Sequence, residues 1–188
     1  MGQYRDQKAL WAHVAVLQFP QKYDKQAYQN AQHYVDSFVQ HNVGNLHEFF
    51  EMFVELESQT QNAQESTMRK VWVLNAIDTI LRQPEYVSQV QQAPSADGHK
   101  SRAQVVHHQL MSLLGAANRA PGSGQHRILA SSVFTNKFAL LFVRFAARDF
   151  PAYWNTQFSE LFGLLHQGNS DQQHILSVIS KFDRIGLA

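Results

Sequence analysis

Large apolar residues recur at helical spacing twice in succession between Ser132 and Leu165, and each run demands a partner to bury it. Phe134, Phe138, Leu141, Phe142 and Phe145 stand at i, i+4, i+7, i+8 and i+11. Trp154, Phe158, Leu161, Phe162 and Leu165 repeat that spacing. A stripe this broad is expected to form one face of an amphipathic helix packed into a core. Between the runs, Asp149-Phe150-Pro151 is expected to turn a tight corner, because proline suits the first turn of a helix and not its interior. Together the runs predict an antiparallel helical hairpin.

The rest of the chain is patterned the same way. Leu10, Val14 and Leu17 predict a helix from about Arg5 to Gln18, stopped by Pro20. Asp24 reads as the N-cap of a helix carrying Tyr28, Ala31, Val35 and Phe38, with Gly44 as the break beyond it. Asn45 and Glu48 have capping-box spacing before Leu46, Phe49, Phe50 and Phe53. Further helices are expected from Thr67 to Arg82, from Ser101 to Ala117, and after Ser170, where Ile175, Ile179 and Phe182 keep the period.

On this reading residues 25–57 form one pair, the helices from Thr67 and Ser101 a second, and the Ser132–Leu165 hairpin a third. First helices then start near residues 25, 67, 128 and 170, at intervals of roughly 42, 61 and 42. Such intervals match HEAT and armadillo arrays, whose period is about 40–47 residues. The expected fold is therefore all-α: a HEAT/armadillo-like α-solenoid of three to four antiparallel hairpins. Residues 1–24 form an additional amino-terminal helix and 25–188 the repeat region, with soft loops near 91–100 and 117–127. The final apolar stripe would need a further repeat to cover it, so the chain is expected to be an amino-terminal piece of a longer solenoid.

Composition narrows the chemistry. Of the 188 residues 44% are hydrophobic, enough to bury a core, and the formal charge is +1, far from the broad basic footprint of a self-sufficient nucleic-acid domain. Cysteine is absent, which excludes disulfides, thiolate zinc sites and a cysteine nucleophile. No apolar signal core opens the sequence, and the longest apolar run, Phe138 to Ala147, is interrupted by Arg144, so an intracellular protein with no membrane insertion is expected.

Ten histidines invite a search for metal. His47 to Glu51 reads HExxE, which lacks the second imidazole that a helical zinc motif needs. His107 and His108 are adjacent and diverge by about 100° on a helix, so both read as solvated surface residues. No phosphate-binding glycine loop or nucleophile elbow occurs. The expectation is a non-enzyme with no metal, cofactor or catalytic residue.

Two charged features remain. Glu48, Glu51 and Glu55 share a helix face opposite the phenylalanines, either a solvated stripe or a surface for a basic partner. Lys137, Arg144 and Arg148 form a basic seam beside the central apolar stripe, expected to pair with Asp149 or Glu160 or to contact phosphate.

The order Asn136-Lys137, Phe142-Val143, Phe150-Pro151, Trp154 and Phe158 resembles the N-K…F-V…Y-P…W…F pattern in the exportin-1-like region of the importin-β superfamily, and specifically the tRNA exportin (exportin-T) family. The resemblance covers roughly residues 25–188. It implies a nuclear export receptor that binds GTP-bound Ran through its amino-terminal repeats, takes tRNA together with Ran, docks nucleoporin FG repeats and shuttles between nucleus and cytoplasm. It implies that Asn136, Lys137, Phe150, Pro151, Trp154 and Phe158 are architectural, with Pro151 setting the corner and Trp154 wedged between paired helices. Second helices line the inner surface of such arrays. The expected Ran-facing residues are therefore Glu48, Glu51 and Glu55 with Gln104, His108, Thr156 and Glu160. Another karyopherin with protein or other RNA cargo, or a stand-alone helical scaffold, would carry the same pattern.

Overall fold

Apolar periodicity becomes seven α-helices among the residues that the computed structural model describes, which are 7–58, 63–94, 101–117, 132–167 and 180. They are α1 (Gln7–Gln18), α2 (Lys25–His41), α3 (Leu46–Ser58), α4 (Ala63–Arg82), α5 (Arg102–Ala117), α6 (Ser132–Asp149) and α7 (Gln157–Gln167). Short 3-10 turns at Pro20–Lys22 and Val43–Asn45 and a π-helical turn at Val87–Gln91 join them. Among the described residues there is no strand, only an isolated bridge between Pro94 and Ser101. The helix expected after Ser170 and the soft segment 118–127 lie outside the described residues, Ser180 excepted.

Local chemistry sets several boundaries where the sequence puts them. Asp24 caps α2, its Oδ1 accepting from the Ala27 amide at 2.7 Å. Ser101 and Gln104 cap α5 reciprocally: the Ser101 amide donates to Gln104 Oε1 at 2.9 Å and the Gln104 amide to Ser101 Oγ at 3.2 Å. Helix α4 begins at Ala63, four residues before the expected Thr67, and Ser66 ties that early turn to α3 through the Leu56 carbonyl at 2.7 Å.

Phe134, Phe138, Leu141, Phe142 and Phe145 are all buried, as their spacing predicts. They meet Phe50 and Phe53 of α3, with ring centroids 6.2 Å apart for Phe50–Phe145 and for Phe53–Phe134. Seven phenylalanines and leucines of this kind, fully desolvated, contribute about 1.5–3 kcal/mol each before ordering costs are subtracted.

The way the helices pair departs from the expected hairpins. Helix α1 packs on α2 and α3 on α4, while α4 also packs on α2 and α6, and α5 on α3, α6 and α7. Helix α1 is therefore not an appendage: Trp11 meets Trp72 of α4 edge-on at 5.6 Å. The expected hairpin of α6 against α7 is replaced by α6 on α4 and α5, and α7 on α5. Partners of α4 and α6 advance together along both helices, Asn75 with Lys137, Asp78 with Arg144 and Leu81 with Arg148, so the two run parallel.

The corner after α6 is longer than proline placement suggests. Residues 150–156 are turns and bends, and α7 begins only at Gln157. The Asp149 carbonyl accepts from the Tyr153 amide at helical spacing (2.8 Å) and also from the Trp154 amide one residue further on (3.1 Å), where the chain leaves the helical pattern. The Phe150–Pro151 peptide bond is cis. Of the second apolar run, Trp154 and Leu161 are buried, whereas Phe162 is 53% exposed.

Candidate functional site

Residues three and four apart on a helix share a face, and α3 realises that rule with Glu48, Glu51 and Glu55. Phe49, Phe50 and Phe53 occupy the opposite face in the core. The glutamates line one groove of about 190 Å³ together with His47 and Met52 of α3, Phe38 of α2 and Gln7 of α1. Glu51 is exposed, and Glu48 and Glu55 are half-buried. The groove thus combines apolar surface from Phe38 and Met52 with carboxylates, the chemistry that receives the stem and head of a lysine or arginine.

The structure does not bring the other expected Ran-facing residues into this groove, whose lining comes from α1, α2 and α3. Gln104 is exposed and engaged in the α5 cap; His108 is exposed on α5. Thr156 and Glu160 open α7, where the Thr156 hydroxyl donates to Glu160 and the indole Nε1 of Trp154 reaches the same carboxylate at 3.4 Å.

The basic seam finds different partners from those expected. Lys137 donates to Asn75, and Arg144 to Asp78, which Arg82 also contacts at 2.9 Å. Arg148 donates to the Leu81 carbonyl at 2.5 Å and the Gln83 carbonyl at 3.2 Å, and its guanidinium lies 4.7 Å from the Tyr86 ring centroid. The negative end of α4 receives it. Asp149 and Glu160 are not its partners, because α6 lies along α4 and both carboxylates are occupied elsewhere. The seam fastens α6 to α4, and its phosphate reading keeps only the charge that this fastening leaves over.

Sequence reasoning missed a buried carboxylate with three side-chain donors among the described residues. Asp149 is fully buried, and its carboxylate accepts from His107 Nε2 at 2.5 Å, Gln91 Nε2 at 2.5 Å and the Tyr86 hydroxyl at 2.8 Å. A carboxylate only accepts, so the imidazole proton sits on Nε2; Nδ1 is buried without a hydrogen-bond partner among the described residues. His107 is 4% exposed and stacks on Trp154 at 4.3 Å and 12°, which corrects its reading as a solvated surface histidine. Burial and the neighbouring Asp149 carboxylate push the Tyr86 hydroxyl well above its ordinary pKa, against a smaller opposing pull from Arg148. One signal was present in the sequence: an aspartate at a helix C-terminus opposes the dipole and needs donors from elsewhere.

The residues carrying the exportin resemblance divide by environment. Trp154 is buried between His107 of α5 and Phe142 of α6, 4.9 Å from the latter ring. Phe150 is 46% exposed and meets Phe158 edge-on at 6.2 Å. Asn136 and Pro151 are exposed, and Lys137 reaches α4. Among the described residues no His, Asp and Glu cluster could hold a metal ion, and no helix is long and apolar enough to cross a membrane.

Comparison with known protein families, curated proteins and solved structures finds no match for this chain.

Proposed function

We propose that this chain is a non-catalytic binding module, the amino-terminal segment of a nuclear export receptor whose acidic groove engages GTP-bound Ran. The observation that carries the reading is the groove itself: Glu48, Glu51 and Glu55 aligned over Phe38 and Met52, open to a basic surface of a protein partner. The Asn136-to-Phe158 resemblance supplies the class of partner.

In this reading the helices form a HEAT-type solenoid. What supports that architecture is the packing of even helices on even (α2, α4, α6) and odd on odd (α3, α5, α7), as in stacked two-helix repeats. Repeats start one helix earlier than the sequence pattern suggests, at α1, α3 and α5. Cargo tRNA and nucleoporin FG repeats are bound jointly with further repeats, and the receptor shuttles between nucleus and cytoplasm. Ran and cargo favour the same solenoid curvature, so each raises the other's affinity.

The test is binding of residues 1–188 to Ran loaded with GTP or GDP. The expected result is measurable binding to the GTP form alone, abolished by Glu48→Lys, Glu51→Lys and Glu55→Lys together while helicity by circular dichroism is retained. Equal binding to both nucleotide forms, or none to either, overturns the Ran reading. Unchanged affinity in the triple variant reduces the groove to a solvated face.

A further inference from the structure

A second surface carries the opposite charge. On α6, Asn136, Lys137, Leu140, Arg144 and Ala147 fall within an arc of about 100°, away from the buried Phe138, Phe142 and Phe145. Asn136, Leu140 and Ala147 are exposed, Leu140 at 37%. Beside this arc the parallel α4 presents Asn75, Asp78, Thr79 and Arg82 at i, i+3, i+4 and i+7. Two parallel stripes of this kind make one shallow face about three turns long.

Its charge is not balanced internally. Among the described residues, Arg144 and Arg82 share the carboxylate of Asp78, and the Lys137 ammonium meets the neutral amide of Asn75. Each guanidinium has five N–H donors in a planar fork, so contact with one Asp78 oxygen leaves further donors on side chains that are 64% (Arg82) and 35% (Arg144) exposed. An apolar side chain, Leu140, stands between Lys137 and Arg144 on the same helix.

We infer that the α4–α6 face docks an acidic amphipathic segment of a partner protein, its carboxylates on Lys137, Arg144 and Arg82 and one apolar residue on Leu140. A phosphodiester backbone fits less well, because it makes no use of a central leucine and needs a broader basic field than a chain of net charge +1 provides. The face is separate from the acidic groove of α3, and the inference holds whether or not that groove binds Ran.

Selection of short displayed peptides against the intact chain, followed by fluorescence anisotropy of the enriched sequences, tests the assignment. Enriched peptides are expected to carry Asp or Glu around an apolar residue at helical spacing, and to bind more weakly as salt rises. Leu140→Lys, which keeps the face basic but removes its apolar anchor, should weaken those peptides about tenfold, and Arg82→Glu, at a largely exposed site, should do likewise. The same Leu140→Lys variant would strengthen binding of a single-stranded oligonucleotide if phosphate were the occupant. Failure to enrich acidic peptides, indifference of the peptides to both variants, or displacement of the peptides by the oligonucleotide overturns the proposal.

Discussion

Asp149 ends α6, where the helix dipole disfavours a negative charge, and it is fully buried. Three donors hold it there, from His107, Gln91 and Tyr86. A hydrogen bond to a charged acceptor contributes about 1.5–3 kcal/mol net, so Tyr86→Phe should lower stability by that order near pH 8. The pH dependence has a definite sign. The unfolded tyrosine releases its proton near 10.0, whereas the folded one holds it to higher pH. Above pH 10 the unfolded chain therefore binds fewer protons, and the stabilisation is progressively lost as pH rises toward the folded value. Tyr86→Phe has no such slope, so chemical denaturation should show the gap between variant and wild type narrowing above pH 10. A constant gap would mean that the hydroxyl does not carry the effect. The sequence signals only that Asp149, at a helix C-terminus, needs donors; which donors was not legible, because they lie 42, 58 and 63 residues away.

Elements meet at joints whose chemistry is also long-range. The start of α5 is tied to the turn before α3 by Arg102, whose Nη1 donates to the Gly44 carbonyl at 2.8 Å while Nε reaches the Pro94 carbonyl at 3.3 Å. Gly44 reads in sequence as a helix break, yet the structure adds a reason of space: a Cβ there would stand 2.5 Å from Arg102 Nη1. The guanidinium is the far end of a flexible side chain and can move, and alanine also restricts the unfolded chain by about 0.4–1 kcal/mol. Gly44→Ala should therefore cost less than about 1 kcal/mol, and Arg102→Ala about 1–2 kcal/mol. In the double variant the glycine substitution should become neutral or stabilising, since the clash is gone. Additive losses in thermal denaturation would refute the joint. Apolar stripes, by contrast, were legible: burial imposes a period on Phe134 to Phe145 that no other pressure imposes. Which stripe packs on which was not, because Phe49 to Phe53 fit α4 as well as α2 in pattern, and only three-dimensional complementarity chooses.

At the scale of the molecule, the question that the packing raises is whether α1 belongs to the stack or rides on it. The sequence gives α1 a modest stripe, Leu10, Val14 and Leu17, and no hint of its partner. In the fold Leu10 and Val14 are buried, and Trp11 joins α1 to α4 through Trp72, with the Arg69 guanidinium 5.2 Å from the Trp11 ring centroid. Full truncation of a buried tryptophan costs about 3–5 kcal/mol, and Trp11 is half-buried, so Trp11→Ala should lose about 2 kcal/mol. If α1 were a separate amino-terminal helix, amide hydrogen exchange would accelerate in residues 7–18 alone. Because α1 packs on both α2 and α4, exchange should also quicken around Val35 and Val39 and around Val73 and Ile77, within a single unfolding transition at lower temperature. A second transition confined to α1 would separate it from the stack. It would also detach Gln7 from the acidic groove, whose remaining walls would then come from α2 and α3 alone.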